Sequence, residues 1–211
     1  QGLDAEIKEK IQNYISSLSD NGFRVDEISF DLLDYIVPTY YVLTTAEASS
    51  NLGRYDGIRY GYSTKKQTIN LEEFYSSNRS EGFGIEVKRR IMLGTFVLST
   101  GYYDAYFSKA QKIRRMLVEK TNNVFDKYDI VIMPVSPTTA FPIGCNNKNP
   151  VAMYLADIYT VFANLTGIAA IALPLFSHSN NLPFGLQIMS KSNNELILLK
   201  AANDFMQLKT R

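Results

Sequence analysis

Residues 79–115, RSEGFGIEVKRRIMLGTFVLSTGYYDAYFSKAQKIRR, narrow most sharply what this chain can fold into. The spacing predicts two successive helices with a break at Ser99-Thr100-Gly101. In the second, Tyr103, Tyr106, Phe107, Ala110, Ile113, Leu117 and Val124 recur at three and four residues, which lines them along one face. Lys109, Lys112, Arg115 and Glu119 fall on the other side. In the first, Ile85, Ile91, Met92, Phe96, Val97 and Leu98 surround the helix with apolar groups, so burial is expected. Yet Glu86, Lys88, Arg89 and Arg90 stand in its middle. A charge taken out of water needs a partner, from the protein or from a ligand, because desolvating it alone is expensive. One of these charges is therefore a candidate for binding chemistry.

Composition sets outer bounds. At 211 residues the chain can bury one sizeable core or two small ones. Its 22 cations against 21 carboxylates supply no broad electrostatic drive toward nucleic acid or membrane. Cys145 is the sole cysteine, so no internal disulfide can form, as suits a reducing, cytoplasmic compartment. No apolar run reaches the length of a membrane span, and no signal-peptide pattern is visible. The chain opens at Gln1 directly on a helix pattern, which reads as a piece of a longer protein.

Taken in order, residues 3–18 read as an amphipathic helix on Leu3, Ile7, Ile11, Ile15 and Leu18, with Gly22 available for a left-handed cap. A short strand is expected over 24–30 and a helix over 41–52. Residues 53–66, GRYDGIRYGYSTKK, form a loop rich in glycine, tyrosine and cations, and 71–77 a short helix. YDIVIM at 128–133 is a continuous apolar run that suits a central parallel strand. A proline-rich loop over 135–150 leads to a helix over 154–165. Strands over 168–175 and 184–189, joined through the turn-rich residues 177–181, read as a hairpin. Ser192 and Glu195 stand in capping-box spacing before a last helix over 196–208. Alternating helices and strands with no evident linker make this an α/β chain, 1–211, of a single domain.

Few residues suggest chemistry. One histidine and one cysteine cannot build a zinc site, and the acidic residues lack calcium-loop spacing. His178 is expected at the surface in a polar turn, and Cys145 as an inert thiol. The glycines at 53, 57 and 61 lack a following Gly-Lys-Ser/Thr, against a phosphate-binding loop. Tyrosines and cations in the same loop suit RNA contact, but a solvated loop whose aromatics pack locally is the favoured reading. Arg90 and Asp157 stand out. A guanidinium grips a carboxylate with two hydrogen bonds, and an aspartate holds an ammonium, so together they suit the ends of a free α-amino acid. An internal ion pair suits them as well, and other charges on these helices could serve.

Long motifs then point to a family. YYVLTTAEASSNLGRYDGIRYGY (40–62), EGFGIEVKRRIMLGTFVLSTGYYDAYFSKAQKIR (81–114), IVIMPVSPTTAF (130–141), PVAMYLADIYTVFANLTGIAAIALPL (150–175) and PFGLQIM (183–189) occur in this order. The chain resembles the A subunits of glutamyl-tRNA(Gln) amidotransferases, which are amidase-signature enzymes, over their C-terminal half only. The family's catalytic lysine and two serines, held in a glycine- and serine-rich stretch, have no counterpart here: no Gly-Ser-Ser-Gly run exists, and Ser49-Ser50 belongs to the tyrosine-rich motif.

What the resemblance implies is the C-terminal part of the amidase-signature fold, a mixed central sheet flanked by helices, with no catalytic residue on this piece. In the family a serine attacks the glutamine side-chain amide and water frees glutamate. The ammonia passes to a partner subunit that activates glutamate on tRNA with ATP and magnesium. The B and C subunits of the amidotransferase, glutamine and Glu-tRNA(Gln) are the implied partners, and no cofactor is implied on this stretch. The glutamine-holding arginine and aspartate of the family align with Arg90 and Asp157, and a pocket tyrosine aligns near Tyr41, with Tyr40 its neighbour. Two other readings stay open: an amidase-signature hydrolase of other amides, and a non-catalytic partner- or tRNA-binding module built on residues 53–66.

Overall fold

The computed structural model describes residues 2–145 and 156–210. They form an α/β structure of seven helices, one π-helical turn and a three-stranded antiparallel sheet. The chain groups into two compact units, Gln1–Val37 with Arg114–Arg211, and Pro38–Ile113.

The first unit is built on a core of one helix face against a sheet. Helix α1, Ala5–Asp20, starts where Asp4 accepts the backbone N–H groups of Glu6 and Ile7 at 2.9 and 3.1 Å. It ends at Gly22, whose φ of 88° needs no Cβ, as Phe23 N–H closes back on the Leu18 carbonyl at 3.1 Å. Ile7, Ile11 and Leu18 of the face the spacing predicts are buried, Leu3 and Ile15 are partly buried, and Tyr14 joins them. That face joins Leu173, Leu175, Leu186, Ile188, Leu198 and Phe205 in one core.

Strands β1 (Val131–Pro134), β2 (Ala169–Ser177) and β3 (Pro183–Ser190) lie in the order β1-β3-β2. The expected hairpin is β2–β3, closed by His178 N–H on the Leu182 carbonyl at 2.9 Å with Asn181 at φ 65°. Between Leu173 and Phe176 the register slips, at Pro174, which has no N–H for the ladder. β3 is the middle strand and its residues from Leu186 to Ser190 are all buried. Helix α6, Val161–Thr166, precedes the hairpin, and α7, Glu195–Thr210, follows it.

Several expectations change here. Residues 24–30 run without a strand, because no neighbour offers a ladder among the described residues; Phe30 instead packs edge-on against Phe162 at 5.5 Å. YDIVIM supplies only β1, a half-buried strand at the sheet's edge, antiparallel to β3 rather than central and parallel. An apolar run reports burial and leaves the neighbour's direction open. Ser192 donates to the Gly167 carbonyl at 2.5 Å instead of forming the expected capping box. Of the helix expected over 154–165, residues 154 and 155 lie outside the described residues, as do 146–150 of the proline-rich loop; 157–160 are turn.

The second unit contains most of α2 (Leu33–Leu52), then α3 (Leu71–Gly82), α4 (Ile85–Val97) and the π-helical turn Asp104–Ser108 that leads into α5 (Lys109–Phe125). The break at 99–101 is present. The π turn is a feature that spacing does not announce: Ser108 N–H reaches back five residues to the Tyr103 carbonyl at 3.0 Å. It rotates the stripe, so Ala110 and Leu117 are buried while Tyr103 and Tyr106 stay above 40 % exposed. Helix α4 is not the buried helix its composition suggests. Ile85 and Met92 are 76 and 73 % exposed, and only Gly94 and Val97 are buried. A helix is buried where a neighbour covers it, and within its unit one narrow side of α4 is covered.

Candidate functional site

Small residues bring α2 and α4 together. A Cβ on Gly94 would lie 2.0 Å from the Thr45 carbonyl oxygen and 2.6 Å from Ser49 Cβ, so only glycine allows this approach. Ser49 and Thr95 hydroxyls meet beside it at 3.0 Å. One turn before Thr45 stands Tyr41; one turn before Gly94 stands Arg90. The crossing therefore sets the Arg90 guanidinium against the Tyr41 ring, 5.9 Å from its centroid, within cation–π reach. Tyr41 is buried, and Tyr40 stands edge-on to it at 5.3 Å.

Glu86, one turn before Arg90, accepts Arg90 Nε at 3.1 Å through Oε1 and Arg89 Nη1 at 2.5 Å through Oε2. Two guanidinium groups thus share one carboxylate, and the bond to Nε fixes how the Arg90 fork is turned. Lys88 donates to the Ser80 carbonyl at 2.6 Å. Sequence reasoning notes these charges but does not single out Glu86. The i,i+3 and i,i+4 spacing of Glu86 to Arg89 and Arg90 is the available signal. Of the three expected site residues, the structure brings Tyr41 and Arg90 together. Asp157 belongs to the first unit, exposed at the head of a turn, with its carbonyl accepting the N–H groups of Thr160 and Val161, each at 3.1 Å.

The 53–66 loop is a built object, which composition does not reveal. Buried Asn78 on α3 donates Nδ2–H to the Asp56 carbonyl at 2.7 Å and accepts Thr64 N–H at 2.7 Å. Gly57 (φ 84°) has room for no Cβ, since Asn78 Nδ2 would sit 2.1 Å from it. The Asp56 carboxylate caps the turn by accepting Ile58 and Arg59 N–H, and the Ile58 N–H above all holds its pKa below the usual range. Glu81 gathers Lys66, Tyr62 and Thr64. The Lys66 ammonium in particular depresses the Glu81 carboxyl, and Glu81 in turn raises the Tyr62 phenol.

In the first unit, His178 is half-buried rather than a plain surface residue. Its Nε2 lies 3.3 Å from Asp4 and 3.2 Å from Glu6. Glu6, held first by Lys10 and then by Ser179, has its pKa lowered to about 2. A cavity of about 170 Å³ in this unit is lined by Ile28, Phe30, Val124, Met133, Phe162 and other residues, none ionisable, so it offers no reacting group. Cys145 is exposed. Among the described residues, no three His, Cys, Asp or Glu side chains gather where they could hold a metal ion. No helix among the described residues is long and apolar enough to cross a membrane.

Helices with a small antiparallel sheet give the chain a fold it shares with solved amidase-type hydrolases. One described simply as an amidase superposes at a TM-score of 0.73 over 98 % of this chain and 42 % of its own, at 18 % identity, a likeness of fold alone. The sequence model of the amidase family matches residues 1–199, and the chain belongs to that family. It is 51 % identical over 203 residues to the A subunit of the glutamyl-tRNA(Gln) amidotransferase of Fusobacterium nucleatum, covering 96 % of this chain and 41 % of that one. The crystal structure of the same-named subunit from Thermotoga maritima matches at a TM-score of 0.66 and 37 % identity, over 98 % of this chain and 38 % of its own. The chain thus spans about two-fifths of the length of these relatives.

Proposed function

We propose that this chain is the C-terminal part, residues 1–211 forming one share of a larger domain, of the glutaminase subunit of a tRNA-dependent amidotransferase. That enzyme converts Glu-tRNA(Gln) to Gln-tRNA(Gln) with ammonia from glutamine, in the cytoplasm where aminoacyl-tRNA is used. The nucleophilic serine and its lysine-serine relay belong to the rest of the protein. This part recognises the ends of glutamine: Arg90 takes the α-carboxylate, Asp157 the α-ammonium, and Tyr41 walls the pocket. ATP and magnesium act with the B and C subunits, where glutamate on tRNA is activated. The observation that carries the reading is the Arg90 guanidinium, set against the Tyr41 ring and turned by Glu86.

Arg90→Ala in the full-length enzyme tests it. A charge-assisted hydrogen bond contributes about 1.5–3 kcal/mol, so the glutamine KM should rise about tenfold to a hundredfold or more. Amide transfer supported by free ammonia should be unchanged. An unaltered glutamine KM removes Arg90 from the site. The isolated 211-residue chain should release no ammonia from glutamine, and turnover comparable to the full-length enzyme would refute the placement of the catalytic groups.

A further inference from the structure

The middle strand of the sheet buries an amide. In β3, Leu186 and Ile188 belong to the core against α1 and α7, so by alternation Gln187 and Met189 turn to the opposite face. Gln187 is 5 % exposed and stands opposite Met133 of β1 and Ala172 of β2. An amide taken out of water costs free energy unless its donors find acceptors. Gln187 Nε2–H finds the Tyr159 carbonyl at 3.2 Å, beside Met189 Sδ at 3.5 Å.

That carbonyl lies in the turn headed by Asp157. Within the turn, the Thr160 and Val161 N–H groups close on the Asp157 carbonyl, each at 3.1 Å, and the Thr160 hydroxyl donates to it at 3.2 Å. The helix that follows, α6, has six residues, too few to hold a shape by its own hydrogen bonds. It is fixed from outside. Val161, Phe162 and Leu165 are buried, and at its far end Arg114 Nε donates to the Leu165 carbonyl at 2.9 Å. Arg114 thus anchors one end of the segment to α5, and Gln187 anchors the other to the sheet. Both anchors lie in the same unit as the turn.

We propose that Gln187 is a positioning residue for Asp157: its amide, donated to the Tyr159 carbonyl two residues on, fixes where the Asp157 carboxylate stands. The inference rests on the proposed function for the role of Asp157 at the α-ammonium of glutamine. An apolar side chain of the same length would fill the space beside Met189 equally well. What it would lack is the donor, and with it the tie between the turn and the sheet.

The test uses the full-length A subunit with its B and C partners, glutamine, and glutaramate, which is glutamine without its α-amino group. Gln187→Met keeps the volume and removes the donor. It should raise the glutamine KM about tenfold, since misplacing a positioning group by about 1 Å can cost about a hundredfold. Glutaramate offers Asp157 no ammonium, so its inhibition constant should stay as in wild type and the preference for glutamine should contract. Transfer supported by free ammonia should be unchanged. Gln187→Asn draws the amide back by one methylene; it should contract the preference in the same way, and it carries the test if Gln187→Met does not fold. A merely structural role would weaken both ligands alike. A preference for glutamine over glutaramate that stays unaltered, with both ligands weakened equally or neither weakened, overturns the proposal. Asp157→Ala separates the two ways of failing. If it contracts the preference and the Gln187 variants do not, Gln187 positions nothing and the role of Asp157 stands. If Asp157→Ala itself leaves the preference unaltered, the proposed function loses Asp157 and this inference falls with it.

Discussion

Replacing Gly94 by alanine tests the geometry on which the proposed grip on glutamine depends. The new Cβ would sit 2.0 Å from the Thr45 carbonyl oxygen, where real contacts stay beyond 3.0 Å, so α2 and α4 must part by about 1 Å at their crossing (3.0 − 2.0). The obstacle is backbone and cannot rotate aside. Two effects oppose each other. Alanine is the better helix former by about 0.8–1.0 kcal/mol. Overpacking costs typically about 1–3 kcal/mol, more where backbone must move. Overpacking wins, leaving a net loss of about 1–2 kcal/mol and a Tm fall of about 2–8 °C for a chain of this size. Function should suffer more than stability. Arg90 stands one turn from Gly94, and its Cζ is already 5.9 Å from the Tyr41 centroid. Another ångström carries it past the roughly 6 Å reach of the contact. A misplacement of about 1 Å in a positioning group can cost about a hundredfold. In the full-length enzyme the glutamine KM should therefore rise ten- to a hundredfold, with ammonia-supported transfer intact. A Gly94→Ala chain that melts like wild type and keeps its glutamine KM would refute the account of the crossing.

Acid should loosen the first unit through the Asp4–Glu6–Lys10–His178 cluster. Glu6 has its folded pKa lowered from 4.5 to about 2, so its contribution is complete above about pH 4.5 and is lost as pH falls toward 2. Glu6→Gln should flatten the fall of Tm between pH 5 and pH 2; an unchanged acid slope would place its origin elsewhere. Asn78→Ala removes two 2.7 Å hydrogen bonds from the 53–66 loop and should cost about 1–3 kcal/mol. It should also abolish hydrogen-exchange protection of the Thr64 amide, and retained protection would mean that another group holds the loop.

Much of this molecule is legible in its sequence because those signals are local. The recurrence of Ile7, Ile11 and Leu18 marks the buried face of α1, and Gly22 its end. The turn residues at 177–181 mark the β2–β3 hairpin, and long motifs mark the family. Tyr41 and Arg90, named from the resemblance, do face each other. What stays hidden depends on residues far away along the chain. A periodic pattern states which side of an element is apolar, whereas the neighbour that covers that side, or fails to, is settled by packing. Hence α4, apolar nearly all round, leaves Ile85 and Met92 to solvent, and the apolar run before Pro134 becomes an antiparallel edge strand. The same reason hides Glu86 as the carboxylate that aligns Arg90, and Asn78 as the anchor of the tyrosine loop. The sequence by itself determined most of the helices, the β2–β3 hairpin and the family. Only tertiary contact decided which strand neighbours which, and it closed α2 on α4 at Gly94, because a clash of ångströms between backbones 49 residues apart (94 − 45) has no signature in either segment alone.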